Sequence, residues 1–454
     1  MKVLLKSITQ DRISGQAGRP GHARPVPTRP PRVVIVGSGF GGLNAARALA
    51  GKGVNVLVLD RNNYHGFWPL LYQVATAGLE PESIAYPVRA IFRRYPNMHF
   101  HMAEVRAVDL DRRTVHTTSG AYTYDYLILA AGSANNYFGN PRIANHTFGL
   151  KDIDEAEHLR NHLLMAFEVA ASEPDPTRRR ELLTFAIVGG GPTGVETAGA
   201  FSELIRHVLS KDYPELDVTR SRIVLIEASD RLLAAFPDNL QHSARRQLER
   251  MGVEVRLNSP VQSVQDGLIT FKDGSTLRAS IVVWAAGVRA SMLADSLGVP
   301  QGKQGRVRVL PTLNLPDHPE VFVIGDMAYL ETYKGNQDYP MVAQVAIQQG
   351  KHAAHNILAH VQGRPLTPFK YFDMGTMATI GRRFALMDAF GVRLSGFLAW
   401  LGWLFIHIIY LIGFRNRVIV LTDWAVNYFT FDRGVRLITE RVKRLVAPET
   451  PEAP

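Results

Sequence analysis

The fold is decided at residues 33–42, VVIVGSGFGG, where an apolar run meets a glycine-rich turn, and at residues 185–194, FAIVGGGPTG, where the pattern returns. In both places the apolar run predicts a buried strand, and the small residues that follow predict a helix. Glycines at this spacing permit a tight turn and bring backbone N–H groups, at the positive end of the helix, against a pyrophosphate. A single glycine-rich turn is common, but two of them predict a chain that holds two dinucleotides.

Each glycine-rich turn is followed by a second apolar run that ends in an acid. Residues 54–60, VNVLVLD, end in Asp60, and residues 223–227, IVLIE, end in Glu227. A carboxylate at that point accepts hydrogen bonds from ribose hydroxyls and repels a 2′-phosphate, which favours FAD and NADH over NADPH. A lone acid at a strand end more often caps the next turn, but its repetition after both turns favours nucleotide binding.

Apolar strands that end in small residues also occur in both halves, at residues 124–132, YDYLILAAG, and 281–287, IVVWAAG. Small residues there let the backbone approach a bound dinucleotide, although close packing alone would also explain them. Residues 321–326, VFVIGD, form a further strand ending in Asp326, whose carboxylate is suited to bond flavin ribityl hydroxyls. The alternation of strands and helices predicts an α/β protein with two Rossmann-like dinucleotide-binding domains.

Composition excludes several classes of site. The chain has 454 residues and no cysteine, so disulfides, thiolate metal sites, iron–sulfur clusters and thiol redox catalysis are excluded. No metal site is predicted. The formal net charge of +10 suits nucleic acid, acidic partners or anionic lipid. No nucleic-acid-binding motif occurs, and the basic residues of the C-terminal region flank apolar segments, so we expect a membrane surface with anionic lipid and no nucleic acid.

The two ends of the chain differ from its middle. Residues 1–31, rich in glycine, proline and arginine, predict a disordered tail. Residues 396–414 carry no charged side chain and are long enough to span hydrocarbon about 30 Å thick, but glycines and His407 within them weigh against spanning. A second aromatic-rich stretch at 418–431 is followed by cations, which predicts helices in the headgroup plane; the cations are Arg433, Arg436, Arg441, Lys443 and Arg444. A buried core helix or a dimer helix is the alternative.

At residues 67–76, FWPLLYQVAT, and 343–350, AQVAIQQG, the chain resembles the type II NADH:quinone oxidoreductases, within the disulfide-reductase-like flavoproteins that bind two dinucleotides. The two segments look like that family's flavin-flanking loop and quinone-site signature, and the similarity extends over nearly all of residues 32–440. The resemblance implies an NADH domain inserted in an FAD domain, followed by a C-terminal helical membrane-attachment region. The implied bounds are 32–150 and 310–370 for FAD, 151–309 for NADH and 371–454 for attachment.

The resemblance also implies roles for three side chains. Gln344 and Gln348 lie four residues apart and so share one helix face, where their amides would bond flavin edge atoms and a quinone carbonyl. Glu196, expected in the first turn of the second nucleotide helix, would lie near flavin and quinone and relay protons. Its alternative role is a helix-dipole interaction of about 0.3–1 kcal/mol.

The remaining expected site residues contact the cofactors. For FAD, bound non-covalently, they are Gly37, Gly39, Phe40, Gly42, Asp60, Ala131, Gly132, Asp326 and Ala343. For NADH they are Gly189, Gly190, Gly191, Thr193, Gly194, Glu227, Ala286 and Gly287.

The expected activity is non-electrogenic NADH:quinone oxidoreduction, because a chain with at most one spanning segment has no helix bundle for a proton path. The quinone would be ubiquinone or menaquinone, and a homodimer is possible. The expected location is the cytoplasmic face of the cell membrane, and the alternative is an organelle inner membrane. The alternatives are a soluble NADH-dependent ferredoxin or rubredoxin reductase, and a slow FAD redox sensor of the apoptosis-inducing-factor type. Disulfide and sulfide:quinone reductases need active-site cysteines, which the chain lacks.

Overall fold

The computed structural model describes residues 29–331, 337–431 and 433–440. Residues 1–28 of the predicted disordered tail lie outside the described residues. The α-helices are α1 (Phe40–Leu49), α2 (Leu71–Ala75), α3 (Pro81–Ile84), α4 (Val88–Phe92), α5 (Pro141–Asn145), α6 (Ile153–Ser172), α7 (Pro176–Leu182), α8 (Pro192–Glu203), α9 (Ser210–Asp212), α10 (Asp238–Arg250), α11 (Ala343–Val361), α12 (Phe397–Tyr410) and α13 (Phe414–Thr430).

The strands are β1 (Arg32–Val36), β2 (Asn55–Asp60), β3 (Tyr64–Gly66), β4 (Ala85–Pro87), β5 (Met98–Met102), β6 (Val105–Asp109), β7 (Thr114–Thr117), β8 (Gly120–Thr123), β9 (Tyr126–Leu129), β10 (Ser133–Asn135), β11 (Thr184–Val188), β12 (Arg222–Ile226), β13 (Val253–Arg256), β14 (Val261–Gln265), β15 (Leu268–Phe271), β16 (Thr276–Arg278), β17 (Ile281–Trp284), β18 (Val288–Ala290), β19 (Val307–Arg308), β20 (Val321–Val323), β21 (Ala328–Tyr329), β22 (Thr376–Thr379), β23 (Ala385–Ala389) and β24 (Val392–Gly396).

Two parallel sheets carry the expected strands. The first has the order β20-β9-β1-β2-β5, and the second has the order β13-β12-β11-β17. In both, the strand before the glycine-rich turn lies between the strand that ends in an acid and the strand that ends in Ala-Ala-Gly. Their side chains are almost fully buried, as expected for parallel strands covered on both faces. The predicted α/β fold is confirmed.

Helices α1 and α11 pack closely against each other. A Cβ atom added at Gly350 would lie 2.2 Å from the carbonyl oxygen of Gly41, so only glycine allows this approach. The segment at 343–350 is therefore held directly against the helix that follows the first glycine-rich turn.

Two short strands join the halves of the molecule. β10 follows the strand that ends in Ala131 and Gly132, β18 follows the strand that ends in Ala286 and Gly287, and the two pair antiparallel. Phe148, just before the predicted boundary at residue 150, already bonds to the second sheet through its N–H and the carbonyl of Val282, at 2.8 Å.

The C-terminal region forms a three-stranded antiparallel sheet, β22-β23-β24, followed by α12 and α13. The uncharged run at 396–414 is interrupted because α12 ends at Tyr410 and the chain turns at Gly413, where φ is +89°. A Cβ at Gly413 would lie 2.5 Å from the ring of Tyr86. Among the described residues, no helix combines the length and apolar character needed to cross a membrane.

The expectation that Arg433 faces lipid headgroups is wrong. Its side chain is 8% exposed and forms an ion pair with Glu203 at 3.2 Å, and it donates to the carbonyl of Thr76 at 2.7 Å. Arg436 pairs with Asp212 at 2.8 Å. A guanidinium is stable inside a protein when a carboxylate and carbonyls replace its hydration, and the fold supplies both to Arg433. The other predicted tail cations, Arg441, Lys443 and Arg444, lie outside the described residues.

Candidate active site

The first glycine-rich turn depends on close backbone contacts. Gly37 has φ of +97°, which favours glycine. A Cβ there would lie 2.3 Å from the carbonyl oxygen of Ala130, and a Cβ at Gly42 would lie 1.9 Å from the carbonyl oxygen of Gly37. Side chains are therefore excluded at both positions, and β1 passes directly into α1.

The start of α1 is open and suited to an anion. Gly39, its N-cap, makes no side-chain capping bond, and a Cβ added there would meet no atom within 4 Å. The first N–H groups of a helix lack partners inside the helix and carry partial positive charge, so this open space fits the pyrophosphate of FAD. The Phe40 ring packs edge-on against His65 and Phe67, with centroids 5.4 and 5.8 Å away. α11 likewise begins, at Ala343, without a side-chain cap.

Asp60 lies beside this turn. Its carboxylate accepts from the N–H of Ser38 at 2.6 Å and from the Ser38 hydroxyl at 2.8 Å, and its other oxygen accepts from Asn62 N–H at 2.8 Å. These bonds hold the half-buried acid at the edge of the open space, in the place where a ribose would follow the pyrophosphate.

The second glycine-rich turn repeats the geometry of the first. Gly189 has φ of +118°, and a Cβ there would lie 2.4 Å from the carbonyl oxygen of Ala285. A Cβ at Gly194 would lie 1.9 Å from the carbonyl oxygen of Gly189. Gly191, the uncapped N-cap of α8, has no atom within 4 Å of an added Cβ, so this helix start also fits a pyrophosphate.

Glu227 corresponds to Asp60. One carboxylate oxygen accepts from the N–H of Gly190 at 2.6 Å, and the other accepts from the N–H of Ser229 at 2.8 Å. Thr193 is exposed in the first turn of α8, where its hydroxyl is free to face a phosphate. The predicted NADH-binding residues of this turn therefore lie together.

The small residues at the strand ends meet at the connection between the sheets. Gly132 has φ of +69° and accepts from the N–H of Ser291 at 3.0 Å. Gly287 has φ of +148° and accepts from the N–H of Asn136 at 3.0 Å. Ala131 and Ala286 precede these glycines.

Asp326 is connected to the first half of the chain. It accepts from the Ser133 hydroxyl at 2.6 Å, and Lys151 Nζ donates to that hydroxyl at 2.9 Å. Gln349, which is fully buried, accepts from the N–H of Gly325 at 2.6 Å and so holds the turn that presents Asp326. Sequence reasoning assigned no role to Ser133, Lys151 or Gln349.

Gln344 and Gln348 share one face of α11, as their spacing predicts, and both contact the segment 371–375. The Gln348 amide donates to the carbonyl of Phe372 at 2.8 Å and accepts from its N–H at 2.9 Å. Gln344 accepts from the Tyr371 hydroxyl at 3.3 Å and donates to the carbonyl of Gly375 at 3.4 Å. In the structure these amides thus order the segment after α11.

Glu196 lies deeper in α8 than expected. The helix begins at Pro192, so Glu196 follows the first turn and its predicted place in that turn is wrong. Its carboxyl accepts from the N–H of Thr379 at 3.3 Å. Burial raises the pKa of Glu196 to about 8, although the bond from Thr379 lowers it. The group is therefore mostly protonated at neutral pH.

Glu203, farther along α8, forms a buried charge cluster that sequence reasoning missed. It accepts from the N–H of Arg382 at 2.5 Å in addition to its ion pair with Arg433. The Arg382 guanidinium donates to the carbonyl of Asn427, at the end of α13, at 2.6 Å. The three charged residues lie far apart in sequence and have no local spacing that could have revealed the cluster.

A cavity of about 80 Å³ lies between this cluster, the 72–78 segment and helices α12 and α13. On one side Trp424 Nε1 donates to Gln73 at 2.8 Å, and Gln73 donates to the Tyr72 hydroxyl at 2.9 Å. Burial raises the pKa of Tyr72 well above its ordinary value, so the hydroxyl stays protonated. The cavity is lined by Tyr72, Gln73, Thr76, Gly78, Ala200, Glu203, Thr379, Gly381, Arg382, Trp400, Trp403, Leu404, Trp424, Asn427, Tyr428 and Arg433.

Comparison with known proteins identifies relatives of this architecture. A model of the pyridine nucleotide-disulphide oxidoreductase family matches residues 31–350. The type II NADH:quinone oxidoreductase Ndh of Mycobacterium tuberculosis is 41% identical over 430 residues, which cover 91% of this chain and 92% of the relative. The mitochondrial internal alternative NAD(P)H-ubiquinone oxidoreductase A1 of Arabidopsis thaliana is 32% identical over 446 residues, covering 90% and 86%.

Among solved structures, NDH2 of Plasmodium falciparum in complex with NADH has a similar fold, with a TM-score of 0.82 and 21% identity over 91% of this chain and 100% of that one. The chain belongs to the pyridine nucleotide-disulphide oxidoreductase family and, within it, to the type II NADH:quinone oxidoreductases. The resemblance seen in the sequence is thereby confirmed.

The contacts of Glu227 predict a preference for NADH over NADPH. We expect Glu227→Gln to narrow the preference, because an amide keeps the side-chain shape but removes the repulsion of a 2′-phosphate. Steady-state kcat/KM values for both nucleotides measure the effect. Glu254→Gln, which alters a surface acid paired with Arg222, should leave the ratio unchanged. Equal efficiency of the wild-type protein with both nucleotides would contradict the assignment.

The buried Glu196 carboxyl predicts a pH-dependent stability. The folded protein holds this proton more tightly than an unfolded chain, whose glutamate has a pKa of 4.5, so the stabilisation is full below that pH and is lost as pH rises through about 8. We expect Glu196→Gln to flatten the fall in the thermal unfolding midpoint between pH 5 and pH 9. Glu215→Gln, at an exposed position, is the control. Parallel pH profiles for wild type and Glu196→Gln would show that the raised pKa is wrong.

Proposed function

We propose that this protein oxidises NADH and reduces a quinone, with FAD in the first glycine-rich turn and NADH in the second. The observation that carries the proposal is the repeated geometry of the two turns, each with an open helix start and a hydrogen-bonded acid beside it. The relatives that are 41% and 40% identical are named type II NADH:quinone oxidoreductases, which supports this substrate pair.

FAD, when bound, would supply the redox chemistry that links hydride transfer from NADH to two-electron reduction of a quinone. The protein supplies binding and orientation. The α1 N–H groups and Asp60 would hold the pyrophosphate and ribose, and Asp326, fixed through Ser133 and Gly325, would hold the ribityl chain. The absence of cysteine throughout the sequence agrees with an acceptor other than a disulfide.

Quinone reduction by NADH also consumes one proton. Glu196 is mostly protonated at neutral pH because burial raises its pKa to about 8, so its carboxyl is able to hold a proton beside Thr379. The cavity under α12 and α13 begins nearby, at Thr379 and Glu203, and is lined on its other side by aromatic residues of those helices. We propose that the quinone enters from this side, and that Gln344 and Gln348 shape its site through the segment 371–375.

Helices α12 and α13 present a large apolar surface, here called the apolar face. Monomeric soluble proteins rarely expose apolar patches of this kind without a binding role, so we propose that the apolar face lies in one leaflet of a membrane. Arg415 is exposed beside it and suits an anionic headgroup. The apolar face comprises Phe397, Leu398, Leu401, Phe405, Ile406, Ile409, Tyr410, Phe414, Val418, Leu421, Val426 and Phe429.

This apolar face favours a membrane quinone over a soluble ferredoxin as the electron acceptor. We extend the proposal to peripheral attachment at the cytoplasmic face of the cell membrane. Non-electrogenic turnover and the possible homodimer stay predictions.

Substitution at Gln348 tests whether this residue contributes to the proposed quinone site. We expect Gln348→Ala to slow NADH:quinone turnover more than NADH reduction of the flavin, because the variant releases Phe372 but leaves the second glycine-rich turn intact. Stopped-flow flavin reduction and steady-state quinone kinetics separate the two half-reactions. His355→Ala, at an exposed position on the same helix, should change neither. An equal loss of rate in both half-reactions would contradict this role and would indicate that Gln348 supports flavin binding or folding.

Substitution on the apolar face tests membrane attachment. Leu398 and Phe405 are 68% and 65% exposed, and removing a large apolar side chain from a membrane contact costs about 1.5–3 kcal/mol. We therefore expect Leu398→Ser with Phe405→Ser to reduce flotation with vesicles of phosphatidylglycerol and phosphatidylethanolamine by at least tenfold. Met102→Ser, at a residue 61% exposed on β5, is the matched control. Unchanged flotation of the double variant would refute attachment through this surface.

A further inference from the structure

Residues 136–138 form a hydrogen-bonded loop against the end of β17. The N–H of Asn136 donates to the carbonyl of Gly287 at 3.0 Å, and Trp284 Nε1 donates to the carbonyl of Asn136 at 2.9 Å. The side chain of Asn136 in turn accepts from the N–H of Phe138 at 2.9 Å. These three hydrogen bonds fix where Phe138 lies relative to the second sheet.

Phe138 is unusual in two respects. Its φ of +52° lies in the left-handed region, which a bulky residue adopts only when its surroundings impose it. Its side chain is nevertheless 67% exposed, so the strain is not offset by burial of the ring in the core. The Phe138 ring meets Trp284 edge-on, with centroids 6.4 Å apart, and a Cβ added at Gly287 would lie 3.7 Å from it.

The position of the Phe138 ring relative to the second sheet indicates which half of a bound dinucleotide would lie near it. In the sheet order β13-β12-β11-β17, β11 lies between β12, which leads to Glu227, and β17, which leads to Gly287. A dinucleotide binds across the strand ends at the point where the order reverses, with its adenosine ribose at the acid. The end of β17 therefore faces the other half, which in NADH is the nicotinamide nucleotide.

We propose that Phe138 is a positioning residue that packs its ring against the nicotinamide half of bound NADH. The inference rests on the proposed function, because it assumes that the second turn holds NADH. A planar nicotinamide or its ribose would cover the exposed ring, and the three hydrogen bonds of the loop would hold the ring ready for that contact. Aromatic rings pair in stacked or edge-on arrangements that add to their buried area.

The test compares Phe138→Ala with wild-type holoenzyme. Isothermal titration with NAD⁺ and steady-state kinetics should show about tenfold weaker NAD⁺ binding and about a tenfold higher KM for NADH, since loss of an aromatic contact has roughly this effect. FAD content, quinone KM and the thermal unfolding midpoint should stay unchanged. Phe138→Tyr should restore most of the affinity, because it keeps the ring.

Phe390→Ala is a closely matched control. Phe390 is also an exposed phenylalanine with positive φ, at 73% exposure and +53°, but it lies between β23 and β24, so its removal should not change NAD⁺ affinity. Unchanged NAD⁺ affinity in Phe138→Ala, or a lowered unfolding midpoint with no selective change in NADH KM, would overturn the proposal. A wild-type protein that does not bind NAD⁺ would instead overturn the proposed function.

Discussion

The close approach of two backbone segments at each glycine-rich turn is the constraint on which the rest of the structure depends. Gly37 lies so near the carbonyl of Ala130, and Gly189 so near that of Ala285, that an added Cβ would fall 2.3 or 2.4 Å from the carbonyl oxygen. At each of these turns the chain passes from a buried strand to a helix whose first N–H groups face open space. The acids, the small strand ends and the two pairing strands β10 and β18 are all arranged around these two points.

A second constraint is the burial of charge beneath the C-terminal helices. The Glu203 carboxylate pairs with Arg433, while the Arg382 guanidinium bonds the end of α13. Removing one member of such a cluster leaves an unpaired buried charge, which is strongly destabilising. The cluster and the bond from Trp424 to Gln73 therefore join the apolar face to the loop that flanks the candidate flavin site. The surface proposed for membrane attachment and the candidate active site are therefore parts of one packed unit.

The sequence predicted the fold well, and the candidate site only in part. The strands, the glycine-rich turns and the acids Asp60 and Glu227 follow from patterns of neighbouring residues, so the sequence alone is enough to predict them. The burial of the Arg433 side chain could not be predicted in this way, because its partners Glu203 and Thr76 are remote in sequence. The contact between Gln348 and Phe372 could not be predicted for the same reason. The predicted position of Glu196 in the first turn was wrong because α8 begins at Pro192, earlier than the glycine pattern indicates. Local patterns encode local geometry, whereas burial and pairing of charge depend on the whole fold.

The proposed reaction has two steps: a hydride passes between two nucleotides bound in equivalent turns, and a quinone then removes the electrons. Its most direct test is anaerobic stopped-flow spectroscopy of the purified holoprotein, mixed first with NADH and then with a short-chain quinone. The proposed reaction predicts that NADH bleaches the flavin absorbance, and that the quinone restores this absorbance at least as fast as steady-state turnover. A flavin that NADH does not reduce, or a reduced flavin that the quinone does not reoxidise, would contradict it.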